Sequence, residues 1–287
     1  MKGIDISTHN EKINWDKLSE NVDFVIIRAG FGNTVRQKDY RFDENIEGAI
    51  NKNIAIGVYW FSYALNTDEA VKEAEAMMEV IEPYKDKITL PCFIDFEYDS
   101  DRYCEEHGTK HTNATRTGVI TAFCNTVINA GYNCGFYANL DYCRNKLRTY
   151  ELLQRFPLWL AQYNKNSPEY PALLVQYSSS GKVSGINGNV DLNYWVEEVK
   201  KMEYTSDTNN TAKNPVKIKR CKYYTARIRG DITATLTNNV DFCLVLGAQV
   251  GKDKYYSVVA IGEPGKQTWV EVTDGKTTAK VFCAVIE

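Results

Sequence analysis

The chain has 287 residues, 44% of them hydrophobic and 25% charged, with a net charge of −3. This is the make-up of a soluble globular protein of one large domain or two unequal ones. The faintly acidic balance leaves no case for nucleic acid as the main partner, and no apolar stretch reaches the roughly 20 residues needed to insert through a membrane.

Short apolar runs open the chain and alternate with longer amphipathic ones. Strands are predicted at Gly3–Ile6, Phe24–Ala29, Ile54–Phe61, Leu90–Phe96, Cys134–Ala138, Leu158–Gln162, Leu173–Tyr177 and, briefly, Asn189–Leu192. Between them, Phe42, Ile46, Ala49 and Ile50 form a helical stripe over Arg41–Lys52. A second stripe covers Asp68–Ile81, with Thr67 as its N-cap, and a third covers Asn113–Ala130, with Gly131 just past its end. Eight strands with interleaved helices in about 200 residues point to a (β/α) barrel that becomes irregular after Ala138. A helix-like Tyr194–Lys200 closes it. The polar stretch 202–215 reads as a linker. Beyond it, in 216–287, six short runs are separated by turn signals: Lys222–Arg229, Ile232–Thr237, Asp241–Leu246, Tyr255–Ile261, Thr268–Val272 and Ala279–Ile286. They spell a small antiparallel β-domain. Arg229-Gly230-Asp231 sits where a hairpin needs its turn.

Met1-Lys2 runs directly into Gly3-Ile4-Asp5, the first predicted strand, so no signal peptide is visible. The chain is then made in the cytoplasm or has had a leader trimmed. Eight cysteines show no CxxC pair and read as mostly buried free thiols.

The chemistry is concentrated in acidic residues at strand ends. Asp95 and Glu97, in Phe93-Ile-Asp-Phe-Glu97, are two apart and share a face of a strand that is otherwise apolar. Unpaired carboxylates there cost several kcal/mol unless they are satisfied or used, and glycoside hydrolysis is the reaction such pairs most often perform. Asp5 ends the first strand and Asp191 the last. In a barrel these ends meet at one mouth, and first and last strands are neighbours. Four converging carboxyls cannot all ionise, so at least one pKa rises.

Seven segments in order, Gly3-Ile-Asp-Ile-Ser-Thr-His-Asn10, Val25-Ile-Ile-Arg-Ala-Gly30, Gly57-Val-Tyr-Trp-Phe-Ser-Tyr63, Phe93–Glu97, Leu158-Trp-Leu-Ala-Gln-Tyr163, Gln176-Tyr-Ser178 and Asn189-Val-Asp-Leu-Asn193, resemble the successive motifs of glycoside hydrolase family 25. These are the muramidases (Chalaropsis-type lysozymes) of bacterial autolysins and phage endolysins. The resemblance covers residues 3 to about 195 and not 215–287. It implies a flattened barrel of five β/α units plus three strands, spanning 1–201, and hydrolysis of the β-1,4 bond between N-acetylmuramic acid and N-acetylglucosamine in peptidoglycan. It implies Glu97 as general acid, Asp95 as the group that orients the substrate's acetamido group or stabilises positive charge, and Asp5 and Asp191 as electrostatic and sugar-binding residues. Net retention with the acetamido group as internal nucleophile follows from it too, as does a reaction with no metal or cofactor.

Tyr59, Phe61 and Tyr63 after the third strand, with Tyr137, Trp159, Tyr163 and Gln176 at matching strand ends, are candidate substrate contacts, although barrel packing explains each as well. Arg28 faces the acids and is read as an ion-pair partner of one of them. Cys104, His107 and His111 have the spacing of a partial metal site but lack a fourth ligand and read as solvated loop residues. Two other readings stand: an inactive glycan-binding protein on the same barrel, against which Glu97 argues, and a chitinase-like enzyme, which would carry a further aspartate where Phe93 stands.

The tail is mildly basic, with 12 basic and 9 acidic side chains in 202–287 against 22 and 28 upstream. Together with the resemblance, this makes 216–287 a candidate cell-wall-binding module for anionic wall polymers. A structural or dimerising domain is the alternative. The absent leader favours an enzyme that reaches the bacterial wall through a lysis pore.

Overall fold

The computed structural model describes residues 1–163, 167–196, 210–219, 222–229, 233–250, 253–273 and 278–287. It divides into two units, residues 1–149 with 158–196, and residues 150–157 with 197–287.

The first unit is a closed eight-stranded barrel in sequential order: β1 (Lys2–Ile6), β2 (Phe24–Phe31), β3 (Ala55–Phe61), β4 (Ile88–Asp95), β5 (Cys134–Asn139), β6 (Leu158–Ala161), β7 (Leu174–Gly181) and β8 (Val190–Trp195). Helices α1 (Trp15–Leu18), α2 (Phe42–Asn51) and α3 (Thr67–Ile81) fill the first three crossovers. Both α4 (Tyr98–Glu106) and α5 (Asn113–Asn129) lie in the fourth, and α6 (Thr149–Leu153) precedes β6. Thus five β/α units are followed by three strands, as expected. Strands β1 to β7 run parallel, whereas β8 is antiparallel to both β7 and β1. A reversed last strand needs no helical crossover, so β8 follows β7 without one.

The parallel strands are covered on both faces and read as near-continuous apolar runs. Phe24–Ile27 of β2 are all fully buried. On the outside, Ala70, Ala74 and Met77 of α3 and Val119, Ile120 and Phe123 of α5 are buried, and the two helices pack against each other and against the strands. The interior is closed by rings around Trp159. Tyr59, Phe93 and Tyr137 meet it at centroid distances of 5.8, 5.4 and 4.9 Å, all edge-on. Each such contact contributes about 0.5–1.5 kcal/mol beyond its area.

Four expectations need correction. The N-cap of α3 is Asn66, whose side chain accepts from Glu69 N, and Thr67 is already helical. Residues 98–106 form α4 instead of a loop: the charged run Asp99-Ser-Asp101 shows no apolar stripe, yet its acids suit a helix N-terminus. Cys104 and His111 are buried instead of solvated. Tyr194 and Trp195 belong to β8, so the closing helix does not begin there; residues 197–200 lie outside the described residues.

The second unit contains two sheets. One has the order β10–β13–β12, formed by Tyr223–Arg229, Asp253–Ala260 and Phe242–Val250. The other has the order β11–β14–β15–β9, formed by Thr233–Leu236, Gln267–Thr273, Thr278–Ile286 and Val216–Lys219. They share one core, with Phe242, Tyr256 and Val258 from the first sheet against Ile218, Val270, Val272, Val281 and Val285 from the second. The unit is therefore a small sandwich. Strand β9, too short to stand out in sequence, pairs parallel to β15, so the unit is not wholly antiparallel. Most of the proposed linker, and the Gly230-Asp231 turn, lie outside the described residues. Seven cysteines are described, all buried and free; Cys221 lies outside the described residues.

One buried acid serves the barrel's outer layer. Glu73 of α3 is 1% exposed, and its Oε1 accepts the N–H of Tyr63 at 2.7 Å, fixing the chain as it leaves β3. Burial raises its carboxyl to about 8. The folded chain therefore holds a proton on Glu73 at pH values where the unfolded chain has released it. Stability falls as the pH climbs from about 4.5 to about 8. Thermal unfolding across this range is expected to show a shallower loss for Glu73→Gln than for the parent, because the amide keeps the acceptor and removes the titration. Identical slopes would show that Glu73 does not titrate there.

Candidate active site

The mouth of the barrel is a cleft of about 770 Å³, lined by acids and aromatic rings. Asp5 is the last-but-one residue of β1, and Asp95 ends β4. Glu97 follows Asp95 as the N-cap of α4, with its backbone N–H bound to Ser100 Oγ at 3.1 Å. Asp191 also lines the cleft, but it is the second residue of β8 and not at a C-terminal strand end. Because β8 is reversed, its beginning reaches the same mouth, where Asp191 pairs in register with Asp5.

A directed hydrogen-bond network runs to Asp5. Its Oδ2 accepts Gln176 Nε2 at 2.9 Å and Asn193 Nδ2 at 2.7 Å. The amide oxygens of those two residues accept in turn. Gln176 Oε1 takes the hydroxyls of Tyr137 (3.0 Å) and Tyr163 (2.7 Å), and Asn193 Oδ1 takes Trp159 Nε1 (2.8 Å). The tyrosine and indole donors fix both amide orientations, so each amide nitrogen turns one N–H to the carboxylate.

Two like charges about 4 Å apart repel by roughly 4 kcal/mol at an effective dielectric of 20, so one shared proton is the cheaper state. Burial, then the charge of Asp191, raises Asp5 to about 8. Burial also raises Asp191, and its hydrogen bond with Asp5 works against that rise. With Oδ2 accepting twice, Oδ1 is the oxygen of Asp5 left to carry a proton.

Asp95 is 8% exposed, and its Oδ1 has no hydrogen-bond partner among the described residues. Desolvation, then Glu97 and Asp5, hold its pKa well above the ordinary value. Glu97 is raised by desolvation, then by Asp99 and Asp191.

Arg28 lines the cleft, but its ion pair is not with a cleft acid. Its Nε binds Asp39 Oδ2 at 2.6 Å. Asp39 is 1% exposed and also accepts the N–H groups of Thr8 and Arg41. Tyr59, Phe61, Tyr63, Tyr137, Trp159, Tyr163 and Gln176 all border the cleft. Tyr163 is 56% exposed, whereas Trp159, at 1%, is floor more than wall. Cys104, His107 and His111 do not converge. Cys104 Sγ points to Ala64 O and His111 Nε2 contacts the same oxygen, while His107 stacks on Tyr103. No group of three or more potential ligands is assembled among the described residues.

Sequence reasoning missed Asn193 and Asp39. Asn193 is two residues from Asp191 on the same strand face, so period-2 reasoning could have found it. Asp39 follows β2 in an irregular segment and carries no such signal.

The family model for glycosyl hydrolases family 25 matches residues 4–186. An autolytic lysozyme from Clostridium acetobutylicum is 27% identical over 69% of this chain and 57% of its own length. The modular autolysin LytC from Streptococcus pneumoniae, solved in complex with synthetic peptidoglycan ligand, superposes with a TM-score of 0.59 at 29% identity, over 68% of this chain and 46% of that one. The chain thus spans about half the length of these relatives. The Clostridium perfringens spore cortex lytic enzyme SleM shares the fold over 99% of this chain and 97% of its own, with a TM-score of 0.59 at 18% identity. The match spans well over half the residues and includes Asp5, Asp95 and Glu97, and the chain belongs to glycosyl hydrolases family 25.

Proposed function

We propose that the chain is a peptidoglycan N-acetylmuramidase that cleaves the β-1,4 bond after N-acetylmuramic acid with net retention and substrate assistance. The observation that carries this reading is the convergence of four acids on one cleft, one of which, Asp95, keeps a buried oxygen without a hydrogen-bond partner among the described residues. Glu97 stays protonated above the usual glutamic range and gives its proton to the leaving oxygen as the C1–O bond breaks. The acetamido carbonyl oxygen attacks C1 from the opposite face and forms a cyclic oxazolinium intermediate. Asp95 accepts the acetamido N–H on its free oxygen and balances the positive charge that develops. Water, deprotonated by Glu97, then opens the ring and restores the acid. Asp5 and Asp191 keep the mouth acidic and bind sugar hydroxyls.

Glu97→Gln is expected to lose about 10²–10⁴ of the rate while retaining its fold. Wild-type turnover by the folded variant would refute the assignment. New reducing ends released by the parent, identified by mass spectrometry, are expected to be N-acetylmuramic acid; N-acetylglucosamine ends would make the enzyme a glucosaminidase.

The pH profile offers an independent check. The acid must be protonated, so kcat/KM falls as the pH rises through the Glu97 pKa, which lies above 4.5. Asp99 is the leading charge that raises it. Asp99→Asn is expected to move the alkaline limb to lower pH, reinforced by the release of Arg102 from its 3.0 Å pair with Asp99. An unmoved limb would place the titrating group elsewhere.

For the sandwich in 216–287, wall binding remains the proposed role, because a second attachment raises effective concentration on a polymer. A chain ending at Lys201 is expected to cleave short soluble strands at near the parent rate and intact walls more slowly. Residues 202–287 alone are expected to sediment with walls, less so in high salt. Equal wall activity with no sedimentation would exclude this role.

A further inference from the structure

Beside the cleft lies a second hollow of about 370 Å³. The two share Phe31, Tyr63 and Asp99 as a common wall. The mechanism above uses none of the groups special to this alcove. Its charged lining is lopsided: Glu69, Glu73, Asp99 and Glu106 against the single cation Arg102. Arg102 is already paired with Asp99 at the rim, where both side chains are more than half exposed. Three glutamates are left without a basic partner among the lining residues.

An acidic cluster alone says little, but the alcove has two further features. The first is Glu73. It is 1% exposed, and while Oε1 holds Tyr63 N, Oε2 has no hydrogen-bond partner among the described residues. The nearby Ser62 side chain favours the charged carboxyl without closing a bond of normal geometry on that oxygen. An orphaned buried carboxyl oxygen is costly unless a donor reaches it. The second is aromatic. The rings of Tyr63 and Tyr103 lie 4.7 Å apart at 51°, and Phe31 meets Tyr63 edge-on at 6.2 Å. The faces of such rings attract cations.

We infer that this alcove binds a primary ammonium group of the substrate strand, held by Glu73 and Glu106 against the Tyr63 and Tyr103 rings while the neighbouring sugar occupies the cleft. An ammonium supplies three N–H donors and one positive charge; on binding it displaces to solvent the proton that burial holds on Glu73, so the orphaned oxygen gains a donor while Glu69 and Glu106 gain a counter-charge. A neutral hydroxyl would answer the oxygen but not the charge, and a carboxylate would be repelled. The inference rests on the reading that the substrate is peptidoglycan, whose strands offer this group in two places. One is the free side-chain amine of a diamino acid in the stem peptide, and the other is a glucosamine that has lost its acetyl group.

The test compares kcat/KM of the full chain on two pairs of soluble strands. Peptide-bearing strands are used with the amine free or acetylated, and peptide-free strands with glucosamine N-acetylated or not. A free amine is expected to raise kcat/KM about tenfold, mainly through KM, in the pair that carries the true source. In Glu106→Gln and Glu73→Gln that ratio is expected to fall to about one; a ratio is insensitive to a general loss of activity. Equal rates within both wild-type pairs, or a preference untouched by both substitutions, would overturn the inference. Turnover is not needed for the second arm. Nα-acetyl-lysine amide is titrated into the full chain, and resonances of Tyr63 and Tyr103 are followed by NMR against the Nε-acetylated control. Saturable shifts specific to the amine, lost in Glu73→Gln, support the site even if no strand is cleaved, in which case it is the muramidase reading that fails. No saturable shift would count against the alcove directly.

Discussion

The reversal of the last strand governs the site. Because β8 runs antiparallel to β1, barrel closure sets Asp191 directly opposite Asp5. Any chain that closes this way with acids at these positions must bring two carboxyls together at the edge of a dry interior. Desolvation and repulsion together would expel them, were nothing supplied in return. The return comes from Gln176 on β7 and Asn193 on β8, both donating to one oxygen of Asp5. Charge-assisted hydrogen bonds contribute about 1.5–3 kcal/mol each, so the two together are comparable with the roughly 4 kcal/mol repulsion of two full charges, and the desolvation of Asp5 tips the pair toward holding a proton. The balance leaves a proton in the mouth near neutral pH.

Aromatic residues set the dielectric in which that balance is struck. Trp159 is nearly inaccessible, yet it connects the two halves of the site. Its ring is packed by Tyr59, Phe93 and Tyr137, and its N–H orients Asn193, which orients Asp5. Packing and polarity are thus one structure. The rings keep water from screening the acids, and their few polar atoms decide which oxygen stays charged.

Much of this was legible in the sequence because strand alternation is a hard geometric rule. Asp95 and Glu97, two apart in an apolar run, both reach the cleft, although only Asp95 lies on β4 and Glu97 enters from the N-cap of α4, and the seven motif segments follow the order of the barrel strands. Other features were hidden for physical reasons. Strand direction leaves no mark on a single strand's pattern, so Asp191 was expected at a C-terminal end although it reaches the mouth from the other. Helix α4 has charges where a stripe would be sought, since its exposed face and its first turn both favour acids. The partner of Arg28 depends on how an irregular segment folds back, which periodicity does not encode. In the sandwich, β9 was missed because a four-residue edge strand carries too little pattern to separate from a turn.

The true partner of Arg28 explains why the acids stay perturbed. A guanidinium paired directly with Asp95 or Asp5 would favour the ionised form and pull that pKa down by one to three units. Instead Arg28 is held by Asp39, a buried carboxylate whose two oxygens also take backbone N–H groups from Thr8 and Arg41. Those donors hold the Asp39 carboxyl in place beside the guanidinium, so the cation is engaged by a residue outside the mouth. Its residual pull on Asp95 ranks below the opposing effects of desolvation, Glu97 and Asp5. The fold thus uses arginine to brace the wall of the cleft while leaving the mouth short of positive charge. That shortage keeps a carboxyl protonated beside ionised neighbours, and a substrate in which positive charge develops at C1 is the species best placed to relieve it.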